Sequence, residues 1–392
     1  MIHSFTDLLA GASLTTLPQQ LASGILLGAI YALIALGYTM VYGVLKLINF
    51  AHGEVYMLGA YTALFVTWAL GFTPNAPNPP EARVWMLLIM LLASMTVCAI
   101  VGILIERFAY RPLRNQPRIA SLITAIGLSL LLQYGGQLVL PVSPPPSIDS
   151  KVNPFSDNVK FVLKQGDSAL LTQAAGFQPK VDQAQAAFDA QLKSEKSQFD
   201  LSPRGEELKK ALEDVKREQK VVTDSANASK VEITLPKGQL IMLGMVVALM
   251  AALTYLVMFT KRGRAMRAVS LDFNASSLMG INVDSIVTFT FIVGSSLAGA
   301  GAMMTATFLP GTQINTYFGV LPGTKAFVAA VLGGIGNIPG AVLGGMLMGI
   351  AEVIVIWLGY DAYKDALAFV VLIAVLIFRP GGLLGSAKVE KV

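Results

Sequence analysis

Residues that build reactive or metal-binding centres are scarce in this sequence. Among 392 residues there is one cysteine, Cys98, which lies inside an apolar run, and there are two histidines, His3 and His52. One cysteine cannot form an intramolecular disulfide or a cysteine-based zinc site, and two histidines cannot supply a histidine-rich metal site. The sequence therefore predicts no metal centre, and we expect Cys98 to be a packing residue.

Charged residues are scarce as well. Asp, Glu, Lys and Arg make up 14% of the chain, whereas 54% is hydrophobic and the mean hydropathy is +0.62. About a quarter of the residues of an ordinary soluble protein are charged. This composition predicts an all-α polytopic membrane protein, because helices satisfy their own backbone hydrogen bonds in lipid. The first residues lack the basic segment of a cleaved signal peptide, so we expect the first apolar helix to direct insertion.

Motifs for nucleotide binding and hydrolysis are missing too. The chain contains no G-x-x-x-x-G-K-[ST] phosphate loop, no G-x-S-x-G and no H-E-x-x-H. An intramembrane enzyme would need a nucleophile beside a base, and the only candidate bases in the apolar segments are His52, Glu54 and Glu352. We therefore predict a protein that is not an enzyme and that binds no cofactor itself.

The apolar segments predict eight or nine transmembrane helices, with broken or re-entrant segments, in an N-terminal half at residues 1–140 and a C-terminal half at 239–392. The count depends on whether residues 318–335 cross the membrane or re-enter it. Short loops at 106–118 and 261–267 are rich in arginine and lysine, which predicts that both are cytoplasmic. Basic residues near the end of the chain predict a cytoplasmic C-terminus.

Residues 141–238 form a polar insert between the two halves. They hold 14 basic and 14 acidic residues, so the net charge of +5 belongs to the membrane halves, where it fits positive-inside bias better than a nucleic-acid surface. After the proline-rich PVSPPPS, two narrow apolar stripes separated by Ser202-Pro203 predict an antiparallel helical hairpin; a partly helical spacer is the alternative. Two crossings separate the basic loops, which predicts an extracytoplasmic (periplasmic) insert.

Two apolar segments are interrupted, one in each half. INFAHGEVYMLGAY, at 48–61, follows the first span, and GGIGNIPG, at 333–340, cuts an apolar run near the end. Free backbone groups of a broken helix are tolerated only where they line a cavity or are buried in protein, so the pattern predicts a solute path. The residues predicted to form this path or its breaks are Asn49, His52, Glu54, Gly333, Gly334, Gly336, Asn337 and Glu352.

The polar residues near these breaks also have purely structural interpretations. Glu54 is expected to accept hydrogen bonds from backbone N–H groups that the break sets free. Asn49 and His52 are expected to cap and turn the chain. Glu352 is expected to meet polar groups near a membrane face, and Lys325 to be an interfacial anchor whose ammonium group reaches the headgroup region.

The segment at 261–284 joins a basic cluster to a short amphipathic pattern. A permease without a nucleotide site must receive force through a docked surface, and a short cytoplasmic helix with a small-residue face suits that purpose. A solvated connecting loop is the alternative interpretation.

Several motifs follow one another along the two membrane halves. They are INFAHGEVYMLGAY, ERFAYRPLR, the R-A-x(6)-A-x(4)-G-I pattern that starts at Arg267, and AVLGGIGNIPGAVLGG followed by GIAE. In this order they resemble the branched-chain amino-acid ABC transporter permease family, LivH-type subunit. The resemblance covers 1–140 and 239–392 and leaves the insert outside it.

This resemblance implies a permease of the bacterial inner membrane that moves leucine, isoleucine or valine. It implies a LivM-like second permease, two cytoplasmic ATPases that bind the ATP, and a periplasmic binding protein as partners. It also implies that a cytoplasmic helix at 268–281 contacts the ATPases, and the residues expected to take part in this coupling are Arg264, Arg267, Ala268, Asp272, Ala275, Gly280 and Ile281. Leu271 stands where the family commonly has an acidic residue, so one contact with the ATPase is expected to differ.

Two other functions stay open at this level. Related permeases move urea or short amides through a similar core. An ion-coupled secondary transporter would use Glu54 and Glu352 as protonation sites. The spans show no arginine suited to holding a carboxylate, which fits a permease that leaves selection to a binding protein.

Overall fold

The computed structural model describes residues 14–74, 79–114, 116–155, 157–165, 167–194, 202–227, 230–309 and 311–385. The chain divides into two compact units. The larger comprises Gln20–Val159 and Leu235–Val392, and the smaller comprises Met1–Gln19 and Lys160–Thr234.

The described chain is almost entirely helical. The first helices are α1 Leu17–Leu45, α2 His52–Ala69, α3 Val84–Ile105, which continues as a π-helix over Glu106–Tyr110, and α4 Arg118–Val139. The insert follows with β1 Asn158–Lys164, α5 Ser168–Gly176, α6 Gln178–Ser194, α7 Pro203–Asn227 and β2 Val231–Pro236. The remaining helices are α8 Lys237–Phe259, α9 Lys261–Leu271, α10 Phe273–Leu278, α11 Val283–Phe308, α12 Val320–Gly333, α13 Ile338–Trp357 and α14 Lys364–Phe378.

Six described helices are long and apolar enough to cross a membrane. They are α1, α3 with its π-helical extension, most of α4, α8, α11 and α13. The helices α2, α12 and α14 have 18, 14 and 15 residues, whereas a relaxed span needs about 20. The chain is therefore an all-α polytopic membrane protein, and the count of eight or nine crossings stays a prediction.

α1 lies at the centre of the larger unit. Of its apolar window 89% is buried, against 22% for α4 and α8. Its small residues meet small residues of α13: a Cβ added to Gly28 would lie 2.8 Å from the Cα of Met346, and Gly345 packs directly on the backbone of Ala32. The recurrence of small residues every four positions in α1 therefore lets two helix backbones approach closely.

α11 is the second central element and packs along α3 and α2. A Cβ added to Gly59 of α2 would lie 2.8 Å from the Cα of Gly299. The hydroxyl of Ser94 donates to the Gly59 carbonyl at 3.0 Å, and the fully buried Cys98 thiol lies 3.3 Å from the Val55 carbonyl oxygen. Cys98 is thus a packing residue between α3 and α2.

In the smaller unit, α6 and α7 pack antiparallel. The Gln219 amide donates to the Gln178 side chain at 3.1 Å, and the Lys216 ammonium donates to the Gln185 side chain at 2.9 Å. β1 and β2 pair as a two-stranded sheet. The sequence pattern does not predict it, because strands of seven and six residues give only a weak signal.

The predicted insert, 141–238, extends at both ends into sequence that belongs to the larger unit. Its proline-rich beginning packs on the membrane helices, where the Tyr61 hydroxyl donates to the Pro141 carbonyl at 3.0 Å. The Ile314 N–H donates to the Pro146 carbonyl at 2.7 Å. Composition alone does not predict this packing, since a proline-rich segment is typical of an exposed linker.

Candidate functional site

The first break lies between Leu45 and His52. Lys46 adopts a positive φ of 54°, a conformation that only a few per cent of non-glycine residues take. The Asn49 carbonyl accepts from the His52 N–H at 3.1 Å, and the Asn49 side-chain oxygen accepts from the Tyr110 hydroxyl at 3.1 Å. Asn49 therefore turns the chain into α2 and ties this turn to the end of α3.

Glu54 lies in the first turn of α2 and is only 4% exposed. One carboxylate oxygen accepts from the Ser129 hydroxyl of α4 at 2.9 Å, and the other has no hydrogen-bond partner in the described residues. The expectation that Glu54 accepts from freed backbone N–H groups is therefore corrected. The first turn of α2 is pressed against α12, so the Glu54 side chain meets α4 instead.

Glycines permit this contact between α2 and α12. A Cβ added to Gly53 would lie 2.7 Å from the Gly319 carbonyl oxygen, and one added to Gly323 would lie 2.9 Å from the Cα of Gly53. A Cβ on Gly319 would overlap the Gly53 carbonyl outright. Any side chain at these positions would push the first turns of the two helices apart.

A cavity of about 230 Å³ opens between α2, α4 and α12. Glu54 and Ser129 supply its polar side chains together with Tyr38 and Thr324, and most other lining groups are glycine or apolar. The full lining is Tyr38, Phe50, Gly53, Glu54, Ile126, Ser129, Leu130, Gly319, Val320, Gly323, Thr324 and Phe327. Of the predicted path residues, only Glu54 reaches this cavity.

His52 lies behind the cavity wall. Its ring meets the Tyr38 ring edge-on, with the centroids 4.6 Å apart, and the side chain is 1% exposed. The Nε2 atom has no partner in the described residues. Because Tyr38 itself lines the cavity, His52 supports the position of a wall residue rather than contacting a solute.

The second break makes hydrogen bonds with the segment that follows α14. Gly334 and Gly336 have φ values of 103° and 93°, which glycine adopts without strain. Asn337 caps α13 by accepting from the Gly340 N–H at 3.3 Å, and its amide donates to the Leu384 carbonyl at 2.7 Å. The Gly333 carbonyl accepts from the Leu384 N–H at 3.1 Å.

The two breaks nevertheless lie on the same side of the unit. A Cβ added to Gly43, near the end of α1, would lie 3.7 Å from the Cα of Gly336. Gly336 therefore lies beside the end of α1, next to the first break, and none of Gly333, Gly334, Gly336 and Asn337 lines the cavity beside Glu54.

Glu352 belongs to a buried ion cluster instead of the cavity. Its carboxylate lies 2.6 Å from the Lys325 ammonium and accepts from the Tyr31 hydroxyl at 2.8 Å. Asp365 of α14 lies 2.6 Å from the same ammonium. Lys325 is 5% exposed, so its predicted role as an interfacial anchor is wrong: the cation pairs inside the helix bundle, where an unpaired charge would be costly.

The predicted coupling helix at 268–281 is not continuous. Asp272 is extended, with φ −155° and ψ 116°, and its side chain accepts from the Ala275 N–H at 2.9 Å to cap α10. The segment therefore forms α9 and α10 with a bend between them, because this aspartate is a stronger helix start than a helix interior residue. Gly280, with φ 82°, ends α10.

The coupling residues named from the sequence differ in their surroundings. Arg264, Asp272 and Ala275 are exposed, whereas Ala268 and Ile281 are half-buried. The Arg267 guanidinium donates to the Met258 carbonyl at 3.2 Å and so covers the end of α8. Three large apolar side chains near these residues are exposed to solvent: Leu271 and Leu278 are each 88% exposed, and Met279 is 83% exposed.

A network of charges connects this segment to the first break. Arg114 pairs with Glu106 at 3.0 Å and with Asp284 at the start of α11, and Arg111 pairs with Asp284 at 2.5 Å. Glu106 also accepts from the Thr288 hydroxyl at 2.9 Å. The arginines that predicted a cytoplasmic loop thus hold the end of α3 to α11, one turn from the Tyr110–Asn49 contact.

Sequence reasoning missed most of the cavity wall. Ser129 and Tyr38 lie in predominantly apolar helices, and α1 has no distinct polar face, so no periodicity shows which way they face. Gly319 and Gly323, four residues apart, carry a spacing typical of close helix contacts, which could have been found.

Comparison with known proteins gives a family and full-length relatives. The family model described as "Branched-chain amino acid transport system / permease component" matches residues 20–376. The high-affinity branched-chain amino acid transport system permease protein BraD of Pseudomonas aeruginosa is 36% identical over 95% of this chain and 97% of its own length. The corresponding LivH of Escherichia coli (strain K12) is 34% identical over 95% and 97%.

A more distant relative is the autoinducer 2 import system permease protein LsrC of Yersinia enterocolitica. It is 32% identical over 36% of this chain and 40% of its own length. No solved structure matches the chain.

Proposed function

The chain belongs to the branched-chain amino acid transport system permease family, and from this premise we propose that it carries leucine, isoleucine and valine across the membrane as a permease subunit of an ABC importer. The substrate assignment rests on a sequence identity of about 35%, over 95% of the chain, with permeases named for these substrates. The cavity between α2, α4 and α12 supports a solute path within this chain.

Force for transport comes from separate ATPases in this proposal. The chain has no phosphate loop of its own. The exposed apolar side chains Leu271, Leu278 and Met279 suit contact with another protein, because large apolar residues are seldom left so exposed in clusters. The ATPases would dock on α9 and α10, and the network of Arg111, Arg114 and Asp284 would pass a displacement of α11 to the first break.

The remaining partners follow from the family. A second, LivM-like permease completes the path, and a periplasmic binding protein delivers the amino acid. The chain lies in the inner membrane with its basic loops and C-terminus in the cytoplasm, and the insert containing α5, α6 and α7 lies on the periplasmic side.

Competition for uptake tests the substrate. We would reconstitute the complete importer with its ATPases and binding protein in proteoliposomes and follow ATP-driven uptake of labelled leucine. Isoleucine and valine are expected to compete at concentrations similar to leucine, and urea and acetamide are expected to have no effect. Uptake of urea, or competition by short amides, would instead assign the chain to the urea and short-amide permeases.

A further inference from the structure

The cavity beside Glu54 holds an uncompensated charge site. Among the residues that line it in the described structure, Glu54 is the one carboxylic acid, and no lysine, arginine or histidine lines it. One of its oxygens bonds Ser129 and the other is buried without a partner. A buried carboxylate is costly unless a cation or hydrogen-bond donor meets it, so a cationic group bound in this cavity would stabilise the Glu54 carboxylate.

The rest of the wall is suited to an apolar side chain. The Phe327 ring lies 5.9 Å from the Phe50 ring and 6.0 Å from the Tyr38 ring, measured between centroids. Ile126 and Leu130 of α4 add aliphatic surface. Burial of a branched aliphatic group against such a wall is favourable by about 1.5–3 kcal/mol.

Two helix N-termini also face the cavity. Gly53 and Glu54 lie in the first turn of α2, and Val320 and Gly323 lie in the first turn of α12. The N–H groups of Val320 and Gly323 already donate to the carbonyls of Tyr317, at 3.0 Å, and Gly319, at 2.8 Å. The N-terminus of α12 therefore favours an anionic group through its partial positive charge and not through free donors. Discontinuous transmembrane helices commonly offer such ends to anionic parts of a solute.

We propose that this cavity is a binding site for a zwitterionic amino acid with an apolar side chain. The Glu54 carboxylate takes the ammonium group, the first turn of α12 faces the carboxylate, and Phe50 and Phe327 contact the side chain. This inference rests on the proposed function and extends it by assigning a site within the membrane. The volume of about 230 Å³ suits a solute of amino-acid size, since pockets for drug-sized ligands start at about 300 Å³.

The proposal differs from two simpler roles of Glu54. A carboxylate that only complements the dipole of α2 would not select for cationic groups in the cavity. A path for urea or amides would need no charge at all, because these solutes are neutral. A preference for ammonium groups therefore distinguishes the proposed site from both alternatives.

Thiol labelling measures this preference directly. In the complete importer with Cys98→Ala, Thr324→Cys places a thiol on the cavity wall. We would compare its reaction rates with 2-aminoethyl and 2-sulfonatoethyl methanethiosulfonate, which carry opposite charges. We expect the ratio of cationic to anionic rate to fall about tenfold or more when Glu54→Gln is added, because a buried carboxylate concentrates cations nearby. An unchanged ratio overturns the proposal.

Protection of the same thiol identifies the groups that bind, and it does not require a Glu54 variant to fold. Leucine and 3-methylbutylamine, which keeps the ammonium group, are expected to slow labelling. The matching acid without an amine, 4-methylpentanoate, is expected to protect at least about tenfold more weakly. Equal protection by the amine and the acid, or no protection by leucine, overturns the proposal.

Uptake separates this inference from the proposed function. If the wild-type importer carries no leucine, the proposed function fails. If it carries leucine, and Glu54→Gln carries it with an unchanged KM, only the binding site is overturned. The proposal expects Glu54→Gln to raise the KM for leucine more than about tenfold and Glu54→Asp to raise it less, since aspartate keeps the charge.

Discussion

Lys325 is a buried cation whose counter-charges come from two other helices. Glu352 on α13 and Asp365 on α14 each lie 2.6 Å from its ammonium nitrogen, and its side chain is 7% exposed. Tyr31 of the central helix α1 completes the cluster through its hydrogen bond to Glu352. The cluster therefore fixes how α12, α13 and α14 pack around α1, and none of its residues lines the cavity.

Removal of the cation should destabilise the protein strongly. Lys325→Met leaves Glu352 buried without a counter-charge, which typically costs about 3–5 kcal/mol. We expect a clear drop in the thermal unfolding midpoint of the detergent-purified protein. Lys364→Met is the matched control, because Lys364 pairs only with the exposed Asp361 among the ion pairs of the described residues. Equal midpoints for the two variants would contradict the account of this cluster.

The contact of Gly319 with Gly53 leads to a second residue-level prediction. Gly319→Ala places a methyl group on the Gly53 carbonyl, and overpacking of this kind costs about 1–3 kcal/mol. We expect lower thermal stability and slower leucine uptake, since α2 and α12 form the cavity together. Gly135→Ala in α4 is the control, because a Cβ there meets no atom within 4 Å. Wild-type behaviour of both variants would show that the close approach is not required.

At the scale of elements, α9 and α10 show what sequence can and cannot predict. The basic cluster and the amphipathic pattern predict a short helical element where α9 and α10 lie. They do not predict its bend, because an aspartate on the polar face of a predicted helix can also be tolerated as an interior residue, although it favours a helix start. Only the extended backbone at Asp272 and its cap on Ala275 divide the segment.

The same limit applies to the cavity. Long apolar runs predict where the helices lie, and the polar and glycine residues around Asn49 predict where α2 is interrupted. The contact of Glu54 with Ser129 joins residues 75 positions apart. Nothing in the local pattern selects this partner, since α2 and α4 show no strongly polar face.

The exposed apolar residues of α10 should be required for ATPase attachment. Leu278→Glu introduces a charge into the proposed contact, and residues at the centre of an interface typically contribute about 2 kcal/mol or more. We expect roughly 30-fold weaker binding of the ATPases, measured by co-purification with the permease, and uncoupled ATP hydrolysis. Val221→Glu is the control, because Val221 of α7 is also exposed, at 60%, but lies in the insert. Retained ATPase binding in Leu278→Glu would place the docking surface elsewhere.

At the scale of the whole molecule, the residues proposed to act in transport and the insert helices belong to different units. The cavity, the ion cluster and the coupling segment all lie in the larger unit, whereas α5, α6 and α7 lie in the smaller one. The Asp167 N–H donates to the Ala226 carbonyl at 2.9 Å, so the ends of this helical part lie side by side.

Excision of the insert helices tests this separation. Joining Asp167 to Ala226 through a short glycine turn removes residues 168–225 without stretching the chain. We expect ATP-driven leucine uptake at saturating binding protein to stay within about twofold of wild type, as none of the deleted residues lines the cavity. Lost uptake by a protein that still folds and binds its ATPases would show that the insert takes part in transport.

The central claim about the whole molecule concerns the energy source for transport. In the proposed function the chain supplies a path and a docking surface, and separate ATPases supply the energy. The alternative is ion-coupled transport by the chain itself, in which Glu54 and Glu352 carry protons. A proton-carrying role has less support for Glu352, because its carboxylate is already paired with Lys325.

Leucine uptake under two driving forces decides between them most directly. Proteoliposomes would contain either the complete importer with ATP on the ATPase side, or the permeases alone under an imposed proton gradient. We predict uptake in the first case and none above background in the second. Uptake by the permeases alone, driven by the proton gradient, would contradict the account.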